Sequence, residues 1–319
     1  MKTTVLLLAL ASFTYATPAS PAFPAAQPVS SANTLTGDEL LRIGEVHEHQ
    51  HHFRETLTYY QLALKTYLGK KQFRGAANAR VKIAHVYERQ GRPQDAYTEL
   101  QVALPVLAAA SDRRAHAQAL LLTGRVAARL GKSDAARTSL TQAMALFDRT
   151  KDFGGAIDAS IDLGLLQTGN GSSDEGLTLL EKTVQRARTS GDRTRELAAV
   201  AALGNAYALV ERPDEARSMY EAGLHLAQAE RSMPLEGVLT LRLAHLYGEG
   251  GRLEDAIRTA HQAVFLAQNL RDPAMEAAAQ SMLAALYRDA GRETEAEESE
   301  LRAIAIYRQR QMHVHGAGR

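Results

Sequence analysis

The residues best equipped for chemistry stand together near the start of the chain, in His47-Glu48-His49-Gln50-His51-His52. Two histidines four apart with a glutamate after the first form the H-E-x-x-H pattern, in which the imidazoles hold zinc and the carboxylate takes a proton from metal-bound water. That chemistry needs His47 and His51 on one face of an unbroken helix, a third ligand, and Glu48 aimed at the water. A looser use of the cluster is adventitious capture of zinc, nickel or copper by His47, His49, His51 and His52. No Gly-rich phosphate loop, nucleophile elbow or paired-carboxylate cleft occurs elsewhere. The chain has no cysteine, which excludes disulfides, thiolate nucleophiles and cysteine-based metal sites.

Whether a helix runs through His51 can be read from an internal period. The small residues Gly44, Ala84, Gly124, Gly164, Gly204, Ala244 and Ala284 recur every forty positions without slippage. One position earlier lie Ile43, Ile83, Thr123, Leu163, Leu203, Leu243 and Leu283; two positions later lie Val46, Val86, Val126, Leu166, Ala206, Leu246 and Leu286. Three positions later come His47, Tyr87, Ala127, Gln167, Tyr207, Tyr247 and Tyr287. These offsets trace the apolar face of a helix. A turn follows at Gly91-Arg92, Gly131-Lys132, Gly251-Arg252 and Gly291-Arg292, where glycine can end a helix, so these pairs are turn residues and not phosphate sites.

A second helix then carries small residues at Ala96, Ala136, Gly176, Ala216, Ala256 and Ala296, with larger ones at Tyr60, Leu100, Leu140, Leu180 and Tyr220. Small residues let paired helices approach while the larger ones fill the space between them. Asp112, Asp152, Asp192 and Asp272 share one register before the next helix and are expected as N-caps. In this phase His47 falls at the inward tyrosine position and His51 at the turn glycine. The period therefore argues against a zinc peptidase, and the expectation is a chain with no catalytic residue, no cofactor and no dedicated metal site.

The pattern can be named at Leu203-Gly204-Asn205-Ala206-Tyr207 followed by Ala216 and Tyr220, and at Leu283-Ala284-Ala285-Leu286-Tyr287 followed by Ala296. These segments resemble the tetratricopeptide motif. The period of forty where the common repeat has about 34, and the missing proline late in the second helix, make it similar to the longer form of kinesin light chain and of bacterial peptide-sensing regulators. The resemblance covers residues 37–311 and implies an all-α, right-handed superhelical solenoid of seven helix-turn-helix repeats. Repeat four is the least regular, with Gln167 at the aromatic position and Gly176 and Thr183 where alanine is usual.

The resemblance also implies a binding groove lined by the first helices, gripping a protein or peptide segment. Its positions select Glu45, Glu48 and His49, then Asn78, His85, Glu88 and Arg89, then Gln118, Arg125 and Arg129, then Asn205, His245 and Glu249, and Arg288 and Asp289. Of these, Asn78, His85, Arg89, Gln118, Arg125, Arg129, Asn205 and His245 are the expected peptide contacts. The readings to be separated are an interaction scaffold, a peptide-sensing regulatory module, and a metal binder using the histidine cluster.

The ends and the charge set the context. Residues 1–16, from Lys2 through an apolar stretch to Thr14-Tyr15-Ala16, have the form of a secretory signal peptide, too short for the roughly 20 apolar residues of a membrane span. Residues 17–36, with Pro18, Pro21, Pro24 and Pro28, are expected as a linker, and 312–319 as a disordered tail. The expected location is therefore periplasmic or secreted. Thirty-seven basic residues balance thirty-six acidic ones, which leaves no field to attract nucleic acid. The charges Glu297, Glu298 and Arg302 on the last helix suggest a polar cap and a monomer.

Overall fold

The computed structural model describes residues 35–316, and side chains through residue 309. The proposed signal peptide and nearly all of the linker lie outside the described residues. Within them the chain is all α, with fourteen helices and no strand. None of these helices is long and apolar enough to cross a membrane. The chain forms two compact units, Met1–Leu166 and Gln167–Arg319.

In the first unit α1 (Gly37–His49), α2 (Phe53–Gly69), α3 (Phe73–Arg89), α4 (Pro93–Ala109), α5 (Arg113–Arg129) and α6 (Ser133–Arg149) pack each on the next. Helix α7 (Phe153–Gly169) runs across the division between the units. In the second unit the same consecutive packing joins α8 (Ser173–Ser190), α9 (Arg193–Leu209), α10 (Pro213–Ala229), α11 (Met233–Glu249), α12 (Leu253–Leu270), α13 (Pro273–Asp289) and α14 (Glu293–Gly316). Odd-numbered helices are the first of each repeat. The last one continues to Gly316, into the segment expected as a tail; residues 317–319 lie outside the described residues.

Side-chain size explains the close pairing. A Cβ added at Gly44 would lie 2.4 Å from the Tyr60 ring, one at Gly124 2.5 Å from Leu140, and one at Gly204 2.7 Å from Tyr220. Alanine takes the same position in other repeats, as with Ala84 against Leu100 and Ala244 beside Ala260. The positions flanking the small residue are buried as the period predicts, including Ile83, Leu163, Leu203, Leu243 and Leu283. Ile43 and Leu166 are only partly buried, and Val46 is half exposed, on the side of α1 that in later repeats meets the preceding pair.

The helix ends repeat every twenty residues. His51, Lys71, Gly91, Gly131, Lys151, Gly171, Gly191, Glu211, Arg231, Gly251, Arg271 and Gly291 all have positive φ, and after each of them but Gly191 the next residue's amide bonds the carbonyl five back, as in Arg92 to Tyr87 at 2.9 Å and Asp152 to Phe147 at 2.9 Å. This is the left-handed helix stop that glycine adopts without strain. Lys151, at φ 57°, adopts it with a Cβ, at a cost on the order of 1 kcal/mol. Lys151→Gly is expected to raise stability by roughly 0.5–1 kcal/mol, seen as a higher urea midpoint. A lower midpoint would show that the lysine side chain contributes more than its backbone strain.

The four aspartates cap as expected. Asp112 accepts from the amide of Ala115 at 3.0 Å, Asp152 from Gly155 at 3.0 Å, Asp192 from Arg195 at 3.1 Å, and Asp272 from Ala274 and Met275 at 2.9 and 3.1 Å. The arginine after the turn has a defined role as well. Arg92, Arg212, Arg252 and Arg292 lie over the rings of Tyr87, Tyr207, Tyr247 and Tyr287 at 4.4, 4.6, 4.4 and 4.6 Å. Each also donates from Nε to the carboxylate three residues on, namely Asp95, Glu215, Asp255 and Glu295, at 2.6, 2.9, 2.8 and 2.9 Å. A tyrosine, an arginine and an acid thus clasp each of these turns by cation–π and charge-assisted contacts.

The outer side of α14 is less polar than the sequence suggests. Glu298 and Arg302 pair at 3.4 Å, but Leu301, Ile304 and Tyr307 are exposed among them at 59%, 38% and 44%. Ile304 stands in the register of the buried Val264, so the face that a following helix covers in the preceding repeat carries apolar side chains here.

Candidate functional site

In the first unit α1 touches α3 and α3 touches α5, so the first helices of successive repeats stand side by side. Residues 37 or 41 apart, which are the period of forty less three or plus one, then face each other across neighbouring helices. Charged pairs occupy these positions in a regular ladder. Glu45 pairs with Lys82 at 2.7 Å, Glu48 with His85 at 2.9 Å and with Arg89 at 3.4 Å. Arg129 pairs with Glu88 at 2.6 Å, and Arg125 with Asp162 at 2.5 Å.

Glu48 is the most constrained member. Its carboxylate accepts from the Tyr60 hydroxyl at 2.7 Å as well as meeting His85 and Arg89. Burial works to raise its pKa, but the bonds from His85 and Tyr60 outweigh it and hold the group at about 2. Burial and the neighbouring Glu48 carboxylate push the Tyr60 hydroxyl well above the usual tyrosine range. At the other end of the ladder, loss of solvent works against the charge on Arg125, while Asp162 holds the guanidinium charged above the ordinary arginine range. Arg129 also donates to the Glu88 backbone carbonyl at 3.0 Å.

Four of the expected contacts, His85, Arg89, Arg125 and Arg129, therefore each meet an acid of a neighbouring first helix within the first unit, the first two sharing Glu48. His85, Arg125 and Arg129 keep 47%, 40% and 37% of their side chains exposed. Asn78 is half buried on α3 and Gln118 is exposed on α5. In the second unit Asn205 accepts from the Tyr220 hydroxyl at 2.8 Å. His245 is exposed, 3.5 Å from Glu249; Arg288 bonds Glu300 at 2.8 Å, and Asp289 is exposed. Sequence reasoning missed Lys82, Asp162 and the Tyr60 hydroxyl. The signal was present as opposite charges at offsets of 37 and 41.

The histidine cluster folds as the phase requires. Helix α1 ends at His49, and His51 lies past it at φ 60° with Nδ1 2.9 Å from Arg89. His47 stacks on Tyr59 with centroids 5.3 Å apart and lies 6.0 Å from His52. His47 and His52 thus occupy the positions that hold Tyr87 and Arg92 in the next repeat. With His51 turned to Arg89 and Glu48 turned to Tyr60, the zinc-peptidase arrangement is not formed. Among the described residues no three histidine, aspartate or glutamate side chains gather as a metal site.

A tetratricopeptide-repeat family model matches residues 75–149. No curated protein matches the sequence. Among solved structures, the apo form of RapI superposes with a TM-score of 0.66 at 9% identity, covering 86% of this chain and 98% of its own. A Rap protein complexed with Competence and Sporulation Factor gives 0.57 at 11%, covering 86% and 96%. Kinesin light chain repeats from Podosopora anserina give 0.53 at 21%, covering 63% and 99%. At these identities the likeness is one of fold. The tetratricopeptide match in sequence thus covers residues 75–149, and helix pairs packed in the same consecutive way lie on either side of that segment.

Proposed function

We propose that this chain is an exported, non-enzymatic scaffold that binds a protein or peptide segment along its first helices. The observation that carries the reading is the cross-repeat ladder. His85, Arg125 and Arg129 are held in place by Glu48, Asp162 and Glu88 while remaining partly open to solvent. Donors fixed in this way lose little freedom when they meet a carboxylate or a backbone carbonyl of an extended segment, which favours binding. A tetratricopeptide fold suits such a role, and one protein of similar fold is complexed with Competence and Sporulation Factor. That likeness favours peptide sensing as the second reading, in which the same face would switch a partner. The separation of His47, His51 and Glu48 onto different partners weighs against the metal reading.

The test is a peptide array probed with the chain from Thr17 onward and with its Arg125→Gln, Arg129→Gln variant. Peptides retained by the parent are expected to bind the variant about tenfold or more weakly, since charge-assisted hydrogen bonds contribute about 1.5–3 kcal/mol. Equal retention by both would move binding off this face. Cell fractionation tests export separately: mature protein beginning at Thr17 in the non-cytoplasmic fraction is expected, and full-length protein in the cytoplasm would reject it.

A further inference from the structure

Repeat four lacks the clasp that closes the first turn of repeats two, five, six and seven. Where the pairs Tyr87 and Arg92, Tyr207 and Arg212, Tyr247 and Arg252, and Tyr287 and Arg292 stand, it has Gln167 and Ser172. The acid that receives the arginine is nevertheless retained as Glu175, in the register of Asp95, Glu215, Asp255 and Glu295. Ring and guanidinium are missing while their counter-charge remains.

A solvent-open depression of about 490 Å³ is found there, lined by Gln167, Asp174, Glu175, Thr178, Leu179 and Lys182, all within the second unit. Its wall includes both ends of the span that a clasping arginine crosses elsewhere, position 167 and the acid at 175. The Gln167 Oε1 is fully buried with no hydrogen-bond partner. The lining holds two acidic residues, Asp174 and Glu175, and one basic residue, Lys182, so its formal charge is negative.

We propose that this depression is a binding site for the arginine side chain of a bound protein segment. The incoming guanidinium takes the place of the absent internal one. It pairs with Glu175 as Arg92 pairs with Asp95 and lies against the aliphatic part of Leu179, with the Asp174 carboxylate as a second acceptor on the same wall. Guanidinium suits this better than ammonium because its planar donors can engage a carboxylate and a second acceptor together. The site is distinct from the ladder in the first unit, so its failure and the failure of the scaffold reading can be told apart.

Isotope-labelled chain is titrated with N-acetyl-arginine amide, and the methyl resonances of Thr178 and Leu179 are followed. A saturable shift in the millimolar range is expected for so small a probe, with none from the neutral isostere N-acetyl-citrulline amide. Two variants locate the effect. Glu175→Gln should abolish the shift. Gln167→Tyr with Ser172→Arg, which builds in the clasp of repeats two, five, six and seven, should abolish it and raise the unfolding midpoint, so that lost binding cannot be ascribed to lost folding. Arg129→Gln should leave it unchanged. No saturable shift with the arginine amide, an equal shift with the citrulline amide, or a shift that survives in the rebuilt variant would each overturn the proposal.

Discussion

Glu48→Gln is expected to lower stability by about 3 kcal/mol at neutral pH, the free energy that corresponds to a carboxyl held at about 2 against an ordinary value of 4.5. The substitution keeps the shape of the side chain but removes the charge that the Tyr60 hydroxyl meets within the repeat and Arg89 meets across the repeat boundary. The dependence on pH has a definite sign. A carboxylate with a depressed folded pKa contributes its stability above the unfolded value and loses it as pH falls through the folded one. Parent and variant should therefore differ fully above pH 5, converge between about pH 4.5 and 2, and coincide below that, as read from urea midpoints at each pH. A difference that stays constant across this window would mean that Glu48 acts through packing and not through its charge.

Gly204→Val is expected to cost about 3 kcal/mol, at the upper end of what overpacking a core imposes. The new Cβ would lie 2.7 Å from the ring of Tyr220 and 3.2 Å from the Met219 Cβ, and Tyr220 is only 2% exposed. Relief requires the ring to move, which breaks its hydrogen bond to Asn205. Glycine is otherwise a poor helix residue, so the substitution would be favourable if local propensity alone mattered. The decisive measurement is a double-mutant cycle in urea with Tyr220→Ala, which copies the Ala244 and Ala260 pair of the next repeat. Most of the loss should be recovered in the double variant. Strict additivity would show that the two side chains do not compete for one space.

The two variants, in repeats one and five, act on different levels of the repeat architecture. Gly204 and Tyr220 set how closely the two helices of one repeat approach, and this follows from size alone. Glu48 joins one repeat to the next through charge, with donors that come from α2 and α3. A chain built of similar units depends on both, because each helix pair leaves an apolar face that only its neighbour can cover.

The sequence by itself determined the helix count, the forty-residue period, the turns and the aspartate caps. These depend on residues close along the chain, where a small side chain, a capping oxygen or a positive-φ stop acts within one or two helical turns. It also placed His47 in the tyrosine register and His51 in the turn, which was sufficient to set aside zinc chemistry. Only the tertiary structure decided the partners. That Glu48 meets Tyr60, His85 and Arg89, or that Arg125 meets Asp162, depends on which helices lie side by side and how far each side chain reaches. The exposed Leu301, Ile304 and Tyr307 make the same point from the other side. Their apolar pattern is that of a packed helix, and burial depends on whether a neighbour is present, a property that no single helix encodes.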